Sequence, residues 1–132
     1  MSRSITPFLM FEGSAEEAMT FYVSLFADSG IDAVQRYGAG EAGAEGSVKV
    51  ASFRLRGRAF MCSDSPAKHA FGFTPSLSLF VEHDDEAELD RNFKRLSEGG
   101  KVLMPLDDYG FSKRFGWVND RFGVSWQLNM PG

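Results

Sequence analysis

The sequence predicts an α+β fold built from two βαβββ modules, and three observations support this prediction. Strand-like and helix-like segments follow one another as strand, helix and three strands, and that order then repeats. Residues 6–11, before the first helix, are similar to residues 74–80, before the second. Both helices begin at a polar residue that an acidic residue follows three positions later. A repeat of this length predicts two similar units, whose helix-free faces form a curved mixed sheet around a cleft.

The first module is expected to span residues 1–64. Strand one covers residues 5–11, and Pro7, which lacks an N–H, should lie at its start or at a sheet edge. Ser14 and Glu17 have the spacing of a capping box. The helix that follows has an apolar face formed by Ala18, Phe21 or Tyr22, Leu25 and Phe26. The remaining strands of this module are predicted at residues 31–37, 48–55 and 59–63.

A connector, residues 65–74, leads to the second module, residues 75–132. Residues 75–81 alternate as a strand, and the second helix has polar caps at Asp84-Asp85 and Gly99-Gly100. The buried face of this helix is predicted to consist of Leu89, Phe93 and Leu96. A strand (residues 101–106) and a loop (107–112) precede the last hairpin (113–129), whose turn (119–123) contains Gly123 for a positive φ.

Composition indicates a single soluble domain, because 132 residues with 43% hydrophobic content can bury a substantial core. The net charge of −4 and the lack of a Lys/Arg cluster argue against nucleic acid or an anionic membrane as a partner. A single cysteine excludes an intrachain disulfide. The Gly-rich residues 38–46 lack the sequence context of a phosphate-binding loop. Without a signal peptide or spanning segment, a cytoplasmic location is expected.

Three segments carry a resemblance to a known family: residues 5–13, the helix at residues 15–22, and the hairpin residues Gly116-Trp117 and Ser125-Trp126-Gln127. They resemble the vicinal oxygen chelate superfamily, which includes glyoxalase I and bleomycin-resistance proteins. Within it the chain resembles the PhnB-like branch, often labelled demethylubiquinone methyltransferase-like. The resemblance covers nearly the whole chain and implies a glyoxalase-like fold, a small-molecule ligand and a homodimer. Methyl transfer is not expected, because residues 12–14 do not form the Gly-rich turn of an S-adenosylmethionine site.

Active members of this superfamily hold a divalent metal with His or Glu on the first and fourth strands of each half. The resemblance places these positions at Pro7, one of residues 61–63, Ser76 and Gln127. Proline offers no side-chain ligand, and serine and glutamine bind such metals weakly. We therefore expect no metal cofactor. A divalent-metal-dependent lyase, isomerase or dioxygenase that uses other ligands is the alternative.

Strand alternation predicts which side chains line the cleft. If Gln127 faces the cleft, Ser125 and Asn129 do too, whereas Trp126 and Leu128 pack under a helix. By the same alternation the two first strands contribute Pro7, Leu9 and Phe11, and Ser76, Ser78 and Phe80, with Leu77 facing the core. A loop over the second module carries Tyr109, Phe111, Lys113 and Arg114. Lys113 or Arg114 could contact an anionic group, or form a solvated turn.

Two further residues have alternative interpretations. His69 is either a base at the cleft mouth or an exposed loop residue, and Cys62 is either a nucleophile or a small buried side chain. His83 is expected to be solvated. The predicted ligand-binding set is Leu9, Phe11, Cys62, His69, Ser76, Ser78, Phe80, Tyr109, Lys113, Gln127 and Asn129.

The sequence thus predicts a metal-independent small-molecule-binding protein without an assigned catalytic residue. Besides the metal-dependent enzyme, a scaffold whose cleft is filled by its own Phe side chains is a third possibility.

Overall fold

The structure, a computed structural model, describes residues 2–132 as two compact units that divide between His69 and Ala70. Each unit contains one α-helix and one four-stranded mixed sheet, and the element order in each is strand, helix and three strands. The predicted α+β fold of two βαβββ modules is therefore confirmed. The division between the units falls within the predicted connector, residues 65–74.

The first unit has a single helix between its first and second strands. Its elements are β1 (Phe8–Phe11), α1 (Ala15–Val23), β2 (Gly30–Arg36), β3 (Val48–Leu55) and β4 (Arg58–Asp64). The strand order is β1-β4-β3-β2, and β1 runs parallel to β4 while the other neighbours are antiparallel. Tyr22 is among the buried residues of α1 and Phe21 is not, which settles the alternative left open by the sequence.

Helix α1 covers the sheet face that carries Leu9 and Cys62. These two residues are register partners in the parallel pair β1–β4, so their side chains lie on the same face. Cys62 Sγ lies 3.9 Å from Met19 Sδ on α1, which identifies that face as the one under the helix. On β3 and β4, the rings of Phe53 and Phe60 stack with centroids 5.4 Å apart. The core of the first unit therefore lies between α1 and this face.

The N-terminus of α1 is held by the Asp64 carboxylate and not by a capping box. Ser14 is at the N-cap position but its side chain makes no capping hydrogen bond. Asp64 Oδ1 instead accepts hydrogen bonds from the N–H groups of Gly13 (2.8 Å) and Ala15 (2.9 Å), and Oδ2 accepts one from Val48 (3.0 Å). Ser14 therefore has the predicted N-cap position, but the predicted capping bond of its side chain is wrong, and a carboxylate almost fifty residues away supplies an acceptor instead.

The second unit repeats the topology of the first. Its elements are β5 (Ser78–Glu82), α2 (Glu86–Ser97), β6 (Lys101–Asp107), β7 (Arg114–Asn119) and β8 (Ser125–Met130). The strand order is β5-β8-β7-β6, with β5 parallel to β8. Asp85 is the N-cap of α2 and accepts a hydrogen bond from the Ala87 N–H at 3.1 Å, as predicted. The predicted buried face of α2 is also confirmed, and it additionally contains Asn92.

Gly116 allows α2 to lie close to the sheet. A Cβ at this position would lie 2.4 Å from a ring carbon of Phe93 on α2 and 2.8 Å from Leu106. Gly116 pairs with Leu128, and its second neighbour Val118 pairs with Trp126. Trp126 and Leu128 are therefore under α2 and almost fully buried, as strand alternation predicted.

The turn between β7 and β8 is organised by Asp120, which is also buried. Its Oδ1 accepts hydrogen bonds from the N–H groups of Phe122 and Val124, and its Oδ2 accepts one from Trp126 Nε1 at 2.9 Å. Gly123 has a φ of 93°, as the predicted turn requires. The turn is thus bonded to a core side chain, which fixes the register of β8.

Replacing Asp64 with alanine should lower the free energy of unfolding by about 3 kcal/mol, because three backbone N–H groups lose their acceptor. The matched control is Asp85→Ala, which removes a single exposed capping bond on α2 and should cost about 1 kcal/mol. Urea denaturation of both variants measures the difference. Equal small losses would show that water replaces the Asp64 carboxylate without cost.

Candidate functional site

The candidate site is the face of the second sheet that points away from α2, called here the helix-free face. Successive side chains on a strand alternate between the two faces. Since Gly116 and Leu128 face α2, Trp117 and Gln127 lie on the helix-free face, where they are register partners.

Three rows of register partners cross this face. The middle row consists of Phe80, Gln127, Trp117 and Met104. The serine row, on one side of it, consists of Ser78, Ser125, Asn119 and Lys101. The acidic row, on the other side, consists of Glu82, Asn129, Phe115 and Asp107. The face therefore changes from hydroxyl and amide groups, through aromatic groups, to carboxylates.

Hydrogen bonds fix the orientation of the indole in the middle row. Trp117 Nε1 donates to Ser125 Oγ at 2.8 Å, and Ser125 Oγ lies 2.7 Å from Ser78 Oγ. Trp117 and Gln127 are both partly exposed, while Phe80 at the sheet edge is 56% exposed. An oriented aromatic side chain, a neighbouring amide and an exposed phenyl ring thus share one surface.

Two amide oxygens on this face are buried without a hydrogen-bond partner among residues 2–132. They are Oδ1 of Asn119, in the serine row, and Oδ1 of Asn129, in the acidic row, whose residue is only 7% exposed. A buried carbonyl group without a donor costs about 1–3 kcal/mol. A donor group from water or a ligand would remove that cost.

An aromatic cluster adjoins the acidic row. The ring of Phe111 lies against Phe115 with centroids 5.0 Å apart, and Tyr109 stacks on Phe111 at 6.2 Å with an interplanar angle of 16°. The Tyr109 hydroxyl donates to the carbonyl of Pro105, which ties the loop to β6. Phe111 is nevertheless 65% exposed. Large exposed aromatic side chains in a cluster are typical of interaction sites.

Most of the side chains predicted from the second module lie where strand alternation placed them. Ser78, Phe80, Gln127 and Asn129 are on the helix-free face. Ser76 instead lies in a turn before β5, with its Oγ 3.1 Å from Thr74 Oγ1.

Leu77, which was predicted to face the core, belongs to the same turn and is 76% exposed. That prediction is wrong, because β5 begins only at Ser78.

The side chains predicted from the first module lie on the opposite face from the one expected. Leu9, Phe11 and Cys62 are buried on the α1 side of their sheet. Pro7 was equated with Ser76 from the sequence pattern, whereas Phe8 pairs with Met61 as Ser78 pairs with Ser125. A shift of one residue exchanges the two faces of a strand, so the predicted cleft position of all three is wrong.

The burial of Cys62 also decides between its two interpretations. Desolvation, aided by the nearby Asp64 charge, raises the pKa of the Cys62 thiol to about 12. A thiol with such a pKa is not a nucleophile at neutral pH, so Cys62 is a small buried side chain.

The loop candidates have contacts within their own units. His69 is exposed in the first unit, with Nε2 2.8 Å from Ser65 Oγ. Lys113 is exposed at the entry to β7, where its backbone N–H donates to the Met130 carbonyl. Arg114 pairs with Asp90 of α2 at 2.7 Å, on the face opposite the candidate site.

His83 is buried between β5 and α2, so the expectation of a solvated residue is wrong. It is 3% exposed, and its Nε2 lies 3.2 Å from Asn92 Nδ2 on α2. Burial lowers the pKa of His83 below its ordinary value of 6.5. Weaker effects raise the pKa of His83, and they come from Glu88, the backbone of Asn129 and Val81, and Asp84.

Sequence reasoning did not assign seven residues of the helix-free face: Glu82, Lys101, Met104, Asp107, Phe115, Trp117 and Asn119. The predicted turn at residues 119–123 could have placed Trp117 and Asn119 on this face. A hairpin closed by that turn pairs Asn119 with Ser125 and hence Trp117 with Gln127. Glu82 continues the alternation of Ser78 and Phe80 along β5, whereas Asp107 on β6 required the order of the strands.

Two βαβββ modules, each with its first and fourth strands paired in parallel, define a protein of the vicinal oxygen chelate superfamily with a glyoxalase-like fold. Residues 3–129 match the family described as 3-demethylubiquinone-9 3-methyltransferase. The chain therefore belongs to this family, the PhnB-like branch of the superfamily.

Solved structures of related chains agree with this membership. A PhnB protein from Bacillus cereus that carries the same methyltransferase name is 53% identical, over 97% of this chain and 99% of that one, with a TM-score of 0.95. Protein PA1353 from Pseudomonas aeruginosa is 32% identical, over 98% of both chains, with a TM-score of 0.85. The fosfomycin resistance protein FosX from Listeria monocytogenes shares the fold at 11% identity and a TM-score of 0.67, over 100% of this chain and 95% of that one.

The family name implies S-adenosylmethionine, but the residues after β1 do not fit that cofactor. A methyltransferase site of the usual kind uses free backbone N–H groups in a Gly-rich turn that follows a strand of a parallel sheet. Here the N–H groups of Gly13 and Ala15 already donate to Asp64. Each sheet also contains only one parallel pair of strands.

The superfamily also implies a divalent metal, and a FosX structure is described as a complex with Mn(II). The helix-free faces of the first and fourth strands of the two units carry Phe8, Met10, Ala59, Met61, Ser63, Ser78, Phe80, Glu82, Ser125, Gln127 and Asn129. Glu82 alone among them has a strong metal ligand. Within residues 2–132 no three His, Cys, Asp or Glu side chains are grouped as a metal site. The donor set therefore does not fit the metal centre.

Helices α1 and α2 are the two α-helices of residues 2–132. Neither helix is long and apolar enough to cross a membrane.

Trp126→Ala should lower the free energy of unfolding by about 3–5 kcal/mol, since it empties the space under α2 and removes the bond to Asp120. Gln127→Ala, one residue along β8, should change it by less than about 1 kcal/mol. Guanidinium denaturation compares the two variants. Equally large losses would contradict the assignment of Gln127 to the helix-free face.

The stability of the protein should fall on acidification partly because of His83. The folded state favours the neutral imidazole, whereas the unfolded chain binds a proton near pH 6.5. The contribution of His83 is therefore complete above pH 6.5 and is lost as the pH falls through the lowered pKa, by at most about 1.4 kcal/mol per pH unit. Urea denaturation from about pH 8 to about pH 5.5 should show a shallower dependence in His83→Gln.

The control for this experiment is His69→Gln, which removes the exposed imidazole of the first unit. This variant should keep the pH dependence of the unsubstituted protein. A loss of the dependence in both variants would show that it does not report His83.

Proposed function

We propose that this protein binds a flat organic small molecule on the middle row of the helix-free face, without a metal ion. The observation that carries this proposal is the sequence of side chains in that row, in which Gln127 lies between Phe80 and Trp117. Two aromatic side chains beside one amide offer both stacking and hydrogen bonding, the combination found in small-molecule sites.

The neighbouring contacts support this role. Because Trp117 Nε1 donates to Ser125, the indole is held in place before any ligand arrives. The Gln127 amide supplies two donors and an acceptor. The unpartnered Oδ1 atoms of Asn119 and Asn129 lie on either side of the row. A ligand that donates hydrogen bonds to them would bind more tightly, because it removes the cost of the unsatisfied acceptors.

The donor set supports independence from metal. On the helix-free faces of the strands that hold the metal in active superfamily members, the side chains are here hydroxyl, amide, thioether and hydrocarbon groups, apart from Glu82. A metal-dependent lyase, isomerase or dioxygenase, the alternative from the sequence, would need ligands that residues 2–132 do not group together. We assign no catalytic residue.

Assembly into a homodimer is part of the proposal, as the family resemblance implies. Large apolar side chains that this chain leaves exposed support it, among them Ile5, Phe8, Phe71 and Leu77. A cytoplasmic location stays a prediction.

A thermal-shift screen of flat aromatic metabolites tests the proposal. A true ligand at 100 times its Kd should raise the Tm by about 8 °C, and added EDTA should leave that shift unchanged. Phe80→Ala and Gln127→Ala should each reduce the shift. Val102→Ala is the control, because Val102 is an exposed apolar residue on the α2 side of the same sheet.

Metal analysis of protein purified without an affinity tag completes the test. We expect no stoichiometric zinc, nickel, manganese or iron. One tightly held ion per chain, or a ligand shift that EDTA abolishes, would refute metal independence. A panel without any stabilising compound would favour the scaffold interpretation.

A further inference from the structure

We infer that the ligand of this face is an organic cation, whose charged group lies over the acidic row beside Phe115. This inference rests on the proposed function and adds the charge of the ligand to it. It opposes one of the two interpretations of Lys113 and Arg114, in which one of them contacts an anionic group. The observations that carry it are the position of two carboxylates, one buried amide and three aromatic rings.

The two carboxylates lie at opposite ends of the acidic row. Glu82 is on the edge strand β5 and Asp107 is on the edge strand β6, with Asn129 and Phe115 between them. Neighbouring strands are about 4.8 Å apart, so the two ends of the row are about 14 Å apart. Both carboxylates are exposed, and neither forms an ion pair with a basic side chain of residues 2–132. At this distance the two carboxylates can lie on either side of a small organic ligand, but they cannot both coordinate one metal ion.

Asn129 gives an observation independent of the acids. It is the register partner of both Glu82 and Phe115, and its Oδ1 is buried without a partner. An oxygen acceptor among carboxylates favours a group that donates hydrogen bonds. An ammonium group is such a donor and has no acceptor of its own.

The aromatic cluster supplies the remaining part of a cation site. Phe115 is in the row, and Tyr109 and Phe111 lie against it from the loop that follows Asp107. Rings attract a cation through their negative faces, by about 0.5–2 kcal/mol. Phe111 is exposed, so its ring is accessible to a ligand. Aromatic rings beside carboxylates are the chemistry of ammonium recognition.

The basic groups near the row do not cancel its charge. Arg114 is paired with Asp90 on the α2 side of the sheet. Lys101 belongs to the serine row, beyond the middle row. Lys113 comes two residues before Phe115 and is exposed, which leaves one nearby cation against the charges of Glu82 and Asp107.

Three probes of similar size test the sign of the ligand charge: phenethylamine, 2-phenylethanol and 3-phenylpropionate. Titrations followed by ¹H–¹⁵N NMR measure each Kd and locate each site. We expect the cation to bind about tenfold more tightly than the alcohol, and the anion to bind more weakly than either. Raising the ionic strength to about 0.5 M should reduce the preference for the cation, because both carboxylates are exposed.

Substitution of the carboxylates identifies the source of the preference. In the double variant Glu82→Gln/Asp107→Asn the preference for the amine over the alcohol should fall from about tenfold to about threefold or less, since the attraction of the carboxylates is lost and that of the rings remains. Glu45→Gln/Glu98→Gln is the control, because it changes the net charge equally through exposed acids outside the three rows. It should keep the preference of the unsubstituted protein.

The outcomes separate this inference from the proposed function. If all three probes shift resonances of the middle row with equal Kd values, the protein binds small molecules but the cation inference is overturned. The cation inference is also overturned if 3-phenylpropionate binds most tightly and Lys113→Gln weakens the binding of 3-phenylpropionate. If no probe shifts these resonances at millimolar concentration, the proposed site and the inference both fail.

Discussion

The carboxylate of Asp64 joins three parts of the first unit that are far apart in the sequence. It lies at the end of β4 and accepts hydrogen bonds from the turn before α1 and from the first residue of β3. Because these backbone donors bond to one buried carboxylate, the start of α1, the start of β3 and the end of β4 are held in fixed positions relative to one another. The same bonds occupy the backbone N–H groups at which a nucleotide-like cofactor could bind. One interaction thus both builds the unit and limits its chemistry.

The two units show how one topology supports different surfaces. The helix-free face of the first sheet carries Phe8, Met10 and Met61 together with Ser52 and Arg54, whereas that of the second sheet is graded from hydroxyl groups to carboxylates. Strand order and the covering helix are the same in both. Fold membership therefore says little about activity in this family, and the chemistry must be argued from individual side chains. The name of the family describes a methyl transfer, and the residues after β1 do not fit the cofactor of that reaction.

Local patterns predicted the parts of the structure that depend on near neighbours. The element order, the buried face of α2 and the faces of β8 all follow from periodicity, because burial of one face repeats every two or 3.6 residues. Strand β1 is only four residues long, too short for alternation to define its register, and the assignment shifted by one residue. His83 and Asp64 were beyond local reasoning, since their partners, Asn92 on α2 and the start of β3, are brought close only by tertiary packing. Alternation on β5 and β8 placed Ser78, Phe80, Gln127 and Asn129 on one face, whereas Asp107 on β6 needed the strand order.

The two tryptophans lie on adjacent strands and on opposite faces of one sheet. Trp126 is enclosed under α2 and bonded to Asp120, while Trp117 is partly exposed beside Gln127. The protein therefore contains two intrinsic optical reporters with separate environments. Emission from Trp126 follows the integrity of the fold, and emission from Trp117 responds to whatever occupies the surface. Replacing either with phenylalanine would isolate the signal of the other, so that binding and unfolding can be recorded in the same sample without an added dye.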